Sequence, residues 1–246
     1  MAARWKTCGC AYSPSQPDKA KDTAFVPPAP AVLLINPNSS SATTGMMVGI
    51  AQAAARGRLA VHGATAQRSP PMIVTQEALA AAAAEVVEIG TAAAPHHAGL
   101  IVSAFGDPGL ERLRDTVTIP ATGICEASML AAAQGGRRFG VATVTPDLAE
   151  PIAALARRLH LASVYTGIRC TTADPLVLAG DPAWLREALH TAVVDCIERD
   201  GAEAVVIGGG PLGQAADWLQ PMFKTPVIAP IPCAVERLLA MLAPGS

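Results

Sequence analysis

Three strand-to-helix junctions in this chain carry residues suited to handling oxygen atoms and protons. The first, "INPNSSSATT" (35–44), closes an apolar run with Asn36 and Asn38 and sets a string of hydroxyls before a helical segment. Ser39, Ser40 or Ser41 can cap that helix. Its unpaired N–H groups, with Asn36, Ser39 and Ser40, can receive a carboxylate or imide oxygen. Plain N-capping after a turn explains the same residues. The second, "VIGGGPLG" (206–213), places Gly208, Gly209 and Gly210 before Pro211, so backbone N–H groups can approach a ligand with no side chain between. Such a cradle can stabilise an enolate or carboxylate oxygen, although on its own the glycine run is better explained by a tight turn. No Lys-Ser/Thr pair follows, so it is not a P-loop, and it stands too late in the chain for a dinucleotide fingerprint.

The third junction, "IVSAFGDPGLERLRD" (101–115), is where an α/β enzyme presents a catalytic residue, yet only Ser103 and Ala104 precede Phe105. Asp107 fits the N-cap of the helix containing Leu110 and Leu113, with Pro108 at its first position. Asp107 and Glu126 are carboxylates near the same rim, and Ser103 reaches it if the strand register turns its side chain inward. Cys125 and Cys233 each begin a helix after a strand, where the helix dipole would lower a thiol pKa. Small buried cysteines filling space are the alternative. His62 lies within a strand and reads as a satisfied core histidine, while His96 and His97 precede a strand at its amino end, away from the junctions. No Ser-His-Asp order or nucleophile elbow is present.

The elements that position these junctions follow from periodicity. Strands are expected at 31–38, 58–65, 98–105, 118–124, 137–144, 162–168, 202–210 and 226–231. Helices are expected at 41–55, 75–93, 125–134, 147–160, 181–200 and 232–243. This alternation is that of an α/β protein with mainly parallel sheets, and the pattern of a small-residue strand end followed by a short helix and a "P-[AV]-x" strand occurs twice. The reading is two pseudo-symmetric α/β halves, 31–131 completed by about 230–246, and 132–229, with the active site in the cleft between them. Strand carboxyl ends converge there. Residues 1–30, rich in Pro, Ser and Lys, read as a disordered N-terminal arm.

Composition narrows the partners. The 246 residues are 51% hydrophobic and 15% charged, with net charge −2 and 4% aromatics, so there is neither a basic face for phosphates nor a platform for base stacking. Nucleic acid is not expected. The Ala-rich segment 78–94 carries Glu85 and Glu88, so no membrane span is expected. Six scattered cysteines in a chain this size point to a reducing cytoplasm, and the Cys8–Cys10 pair lacks a second ligand pair, so no metal is expected.

"LLINPNSS", "FGDPGL", "GICEASM", "RRFGVATVTP", "GAEAVVIGGG" and "TPVIAPI", in this order over residues 31 to 243, resemble the aspartate/glutamate/hydantoin racemase superfamily, nearest its hydantoin and allantoin racemase branch. The resemblance implies no cofactor, a homo-oligomer, and two cysteines, one from each half, working on opposite faces of a substrate carbon. It places those cysteines at Ala104 and Gly209. A methyl group and a hydrogen cannot move protons, so the usual two-thiol racemisation is not available. Arylmalonate decarboxylase, in the same superfamily, keeps one thiol and has glycine at the other place.

The expected function is therefore an enzyme acting on a small carboxylate or cyclic imide/amide through an oxyanion-stabilised enolate, as a divergent isomerase, lyase, decarboxylase or cyclase. Asn36, Ser39, Ser40, Ser103, Phe105, Gly208, Gly210 and Pro211 would bind, and Cys125, Asp107 or Glu126 would replace the thiols. The alternatives are a non-catalytic ligand-binding paralogue, or a racemase whose cysteines have been replaced.

Overall fold

A computed structural model describes residues 29–243. The Cys8–Cys10 pair and nearly all of the expected arm lie outside them. The first half contains β1 (Ala31–Asn36), α1 (Ser41–Ala55), β2 (Ala60–Thr65), α2 (Gln76–Ala93), β3 (Gly99–Val102), α3 (Leu110–Thr116), β4 (Ala121–Gly123) and α4 (Ile124–Ala132). The second contains β5 (Phe139–Thr143), α5 (Ala149–Arg158), β6 (Tyr165–Cys170), α6 (Pro175–Gly180), α7 (Pro182–Glu198), β7 (Ala204–Gly208), α8 (Gly213–Leu219) and β8 (Val227–Ile228), and α9 (Pro230–Leu242) closes the chain. Two four-stranded sheets result, ordered β2-β1-β3-β4 and β6-β5-β7-β8, and every pairing is parallel.

Continuous apolar strands arise because helices cover both faces of each sheet. Along β1, Val32 and Leu34 join Met47 and Ala51 of α1, whereas Leu33 and Ile35 face Val86 of α2 and Leu113 of α3. In the second sheet Val141 and Val206 face Leu148 and Ile152, and Ala142, Val205 and Ile207 face Leu189 and Val193 of α7. Ile231, Ala234, Val235 and Leu238 of α9 pack with α1 in the first half.

Several boundaries differ from expectation for local reasons. β3 stops at Val102 because residues 103–109 turn sharply, with Gly106, Asp107 and Gly109 at φ of 112°, 50° and 76°. α9 begins at Pro230, since two prolines fit a first helical turn whose N–H groups lack partners. β6 starts at Tyr165, three residues later than expected, and α6, capped by Asp174, was not read from the sequence. His62 is exposed on edge strand β2, its Nδ1 3.2 Å from Nε2 of His97, which corrects the core reading.

Gln76–His96 is long and apolar enough to match a membrane span by composition. Its inner stripe, Leu79, Ala82, Glu85, Val86 and Gly90, is buried against the protein. Midway, the Glu85 carboxylate accepts the N–H groups of Gln67 (2.7 Å) and Arg68 (3.0 Å). Here α2 is an amphipathic helix laid on a sheet.

The two sheets repeat one geometry. Asn36 pairs with Thr65 and its carbonyl accepts the N–H of Ala66 at 3.0 Å; Thr143 pairs with Cys170 and its carbonyl accepts the N–H of Thr171 at 3.0 Å. Ile35 pairs with Val102 and Thr143 with Gly208, so Asn36 corresponds to Thr143, Ser103 to Gly208, and Ala104 to Gly209. The α4 helix serves both halves. Ile124 and Ala127 lie in the first core, Cys125, Met129 and Ala132 in the second.

At Gly109 the left-handed backbone and a close approach coincide, because a Cβ there would stand 2.5 Å from the Ala83 carbonyl oxygen. Gly109→Ala is expected to cost about 2–3 kcal/mol, lowering Tm by about 5–10 °C in a calorimetric scan.

Candidate active site

The carboxyl ends of β3 and β7 meet between the halves. A Cβ at Gly208 would lie 3.2 Å from Cε1 of Phe105, and one at Gly210 would lie 2.6 Å from Sδ of Met47 and 3.5 Å from the Ser103 carbonyl oxygen. Glycine is needed for this approach. Phe105 itself is buried in the second-half core, so the first half's motif is anchored in its neighbour.

The 104–107 turn is closed by the Asp107 N–H donating to the Ala104 carbonyl at 3.0 Å. Asp107 does not cap α3; Gly109 holds that position with no side-chain bond. The left-handed backbone instead aims the carboxylate at the start of α4, where Oδ1 accepts the N–H of Cys125 (2.9 Å) and Oδ2 that of Glu126 (2.7 Å). Gly123 makes room, since a Cβ there would come within 2.1 Å of Asp107 Cγ. Burial pushes the Asp107 carboxyl up to about 7, against the opposing pull of these two donors.

The same capping overturns the expectation for Cys125. Its helix-start N–H is spent on Asp107, and burial together with that carboxylate pushes the thiol well above its ordinary value. Cys233 is likewise raised, to about 11, mainly by burial, and it lines a surface groove between α4 and α9 with Ala127, Pro232 and Glu236. Neither thiol is activated in the way the helix-start position suggested.

Glu126 is committed to ion pairs. Its carboxylate accepts Nη1 and Nη2 of Arg114 (2.8 and 2.7 Å) and Nε of Arg237 (3.1 Å). Burial would raise its pKa, but the two guanidiniums outweigh it and hold the group below its ordinary value. This triad ties α3 and α9 to α4. A hollow of about 590 Å³, lined by Glu77, Pro108, Glu111, Leu155 and Arg158 among others, lies beside the same loop.

The expected oxygen-binding set is also engaged. Asn36 is fully buried and donates from Nδ2 to Asn38 Oδ1 (2.8 Å), Thr44 Oγ1 (3.0 Å) and the Ser40 carbonyl (3.1 Å). Ser40 caps α1, its Oγ accepting the Thr43 N–H at 3.2 Å. The Ser39 N–H donates to the Pro70 carbonyl, which fastens the β2–α2 loop over this junction. Ser103 is buried, with its hydroxyl 3.1 Å from Met47 Sδ. In the glycine run, the Gly209 N–H donates to the Ile207 carbonyl at 3.0 Å, and Pro211 is exposed.

Sequence reasoning passed over the hydroxyls of the second half. Thr143 Oγ1 donates to the Gly208 carbonyl at 2.5 Å and lies 3.3 Å from Thr145 Oγ1. Thr171, at the end of β6, is 8% exposed and its Oγ1 has no hydrogen-bond partner. The signal was the Thr-Val-Thr spacing in "VATVTP", where Thr143 and Thr145 occupy the places of Asn36 and Asn38. Among the described residues no group of three or more His, Cys, Asp or Glu side chains is placed to hold a metal ion.

A sequence model of the Asp/Glu/Hydantoin racemase family matches residues 32–238. The chain is 27% identical over 217 residues to the hydantoin racemase of Paenarthrobacter aurescens (87% of this chain, 92% of that protein). It is 28% identical over 219 residues to that of Rhizobium meliloti (86% and 88%). Its fold is similar to that of allantoin racemase from Klebsiella pneumoniae, with TM-score 0.83 and 26% identity over 88% of this chain and 89% of that one. Unliganded arylmalonate decarboxylase, at TM-score 0.59 and 18% identity over 89% and 94% of the two chains, shares the fold.

Asp107→Ala would leave two buried N–H groups unpaired, and a loss of about 2–3 kcal/mol in denaturant titration is expected. Because the Glu126 pKa is depressed in the folded state, its stabilisation is present above its ordinary value of 4.5 and is lost as pH falls through the folded pKa. Glu126→Gln should therefore cost about 3 kcal/mol at pH 7, and the gap from wild type should shrink as pH is lowered below 4.5.

Proposed function

Because this chain belongs to the Asp/Glu/hydantoin racemase family, we propose that it is a cofactor-independent enzyme that generates an enolate-type intermediate from a small carboxylate or cyclic imide/amide at the junction of β3 and β7, without two-cysteine racemisation. The observation that carries this reading is the equivalence of Ala104 and Gly209, which stand at matched strand ends of the two halves and hold no titratable group. In this reading the oxygen is held by backbone at the glycine run and by the Thr171 hydroxyl, which has no partner in the fold, whereas the O–H of Thr143 is already given to the Gly208 carbonyl.

The missing bases favour one reaction class. Proton abstraction needs a positioned base, and the nearby carboxylates are occupied, Asp107 by two backbone donors and Glu126 by two arginines. Cleavage of a carbon–carbon bond, as in decarboxylation, supplies the electron pair to the enolate itself and needs only a later proton from water. A lyase or decarboxylase therefore fits these residues better than an isomerase or a cyclase. We further propose a homo-oligomer of the cytoplasm with small-molecule partners; that Cys125, Cys170, Cys196 and Cys233 are unpaired fits a reducing compartment.

The test is turnover in D2O on α-substituted malonates, 5-substituted hydantoins and amino acids. Release of CO2 with one deuterium in the product, and no deuterium entering recovered hydantoin, is expected. Wash-in of deuterium to unreacted hydantoin at an enzymic rate would restore racemase chemistry. Binding across the panel with no turnover would make the protein a ligand-binding paralogue.

A further inference from the structure

The second half's strand end differs from the first in what lies over it. A Cβ placed on Gly209 would stand 2.9 Å from Cδ1 and 3.0 Å from Cγ of Leu212, so Leu212 already fills the space that any side chain at 209 would need. The turn after the glycines arranges this. The Gly213 N–H donates to the Gly210 carbonyl (3.2 Å) and the Ala215 N–H to that of Leu212 (2.8 Å), folding Leu212 back at the start of α8. Leu212 is only partly buried, yet it packs on the cluster of Ala142, Val144, Leu178 and Ile207. Met72, from the β2–α2 loop of the first half, packs on that cluster too. The side chain thus has packing partners on its inner side and Gly209 beneath it.

Ala104, by contrast, is half-buried and presents a methyl group of its own. The asymmetry matters because the two positions are otherwise equivalent. On one strand end the wall is residue 104 itself; on the other it is borrowed from a residue three places further on. From this juxtaposition we propose that Leu212 is the specificity-determining residue of the second half. Its hydrocarbon takes the place of a side chain at 209, so the substrate turns an apolar substituent, and not an amino or carboxylate group, toward that wall. The proposal deepens the function proposed above and rests on it for the location of the substrate.

The packing part is tested without any ligand by a double-mutant cycle on Tm, using Gly209→Ala and Leu212→Ala separately and together. Gly209→Ala is expected to lower Tm by about 5 °C or more when Leu212 is present and by under about 2 °C in the Leu212→Ala background. Equal shifts in both backgrounds would overturn the proposal, because Leu212 would then not hold the space. The substrate part is read from methylmalonate and phenylmalonate as probes, by kcat/KM or, without turnover, by calorimetric Kd. Leu212→Ala should raise the preference for the phenyl compound at least about tenfold, the scale of a few methylenes in an apolar pocket. An unchanged ratio overturns the specificity role. If neither probe binds while the Tm cycle shows coupling, the proposed substrate class and the selectivity built on it fall, and the occupancy of the 209 position by Leu212 stands.

Discussion

One carboxylate organises the candidate site: Asp107, held in a left-handed turn, accepts two first-turn N–H groups of α4, those of Cys125 and Glu126, from 18 and 19 residues away in sequence. A buried charge or carboxylic acid without partners would be costly, and these two donors are what make its position tolerable. The contact fixes the turn that carries Ala104 and Phe105 and, at the same time, the helix shared by the two cores. Gly123 is required beneath it, and Glu126, whose N–H it accepts, is locked in turn to Arg114 and Arg237. The motif residues that look available for acid/base work are, in the folded protein, the fastening of the loop.

This is also why the sequence was legible at one scale and not at another. Alternation of apolar strands and helices with buried faces is a local property, so the order of elements, the parallel sheets and the two-half plan could be read directly. Asp107 and Cys125 could not. Asp107 sits before Pro108 with leucines following, which fits an N-cap of α3, and only the positive φ at 107 and 109 turns it to a different helix. Cys125 occupies a helix start, but burial, and after it the Asp107 carboxylate brought in through tertiary structure, raise the pKa that the helix start would have lowered. Asn36 and Ser40 were recognised as polar groups at a strand end, whereas their use inside the loop depends on the 3.0 Å bond to Thr44 and the bond to Thr43. The Thr143 and Thr145 hydroxyls were overlooked because threonine in a strand is ordinary, and only the register of the second sheet marks their equivalence to Asn36 and Asn38.

In the function proposed above, with no thiol at positions 104 and 209, the chemical work falls to backbone. Oriented N–H groups and fixed hydroxyls stabilise negative charge without reorganising, and that contribution survives loss of the proton-transferring side chains. Reactions whose electron pair comes from a breaking carbon–carbon bond suit such a site better than reactions that begin by removing a proton. The glycine run also lets the end of β7 come close to Met47 and Phe105 of the first half, so small residues serve the assembly of the halves.

The shared helix has a mechanical consequence. With Ile124 and Ala127 packed in one core and Cys125, Met129 and Ala132 in the other, α4 works as a rivet through both halves. Swinging the halves apart to admit a molecule would strip apolar side chains from one core or the other, whereas moving a surface loop would not. The β2–α2 loop at the rim is fastened separately, by the Ser39–Pro70 backbone bond, by the Gln67 and Arg68 N–H groups given to Glu85, and by Met72 lying on the opposite core.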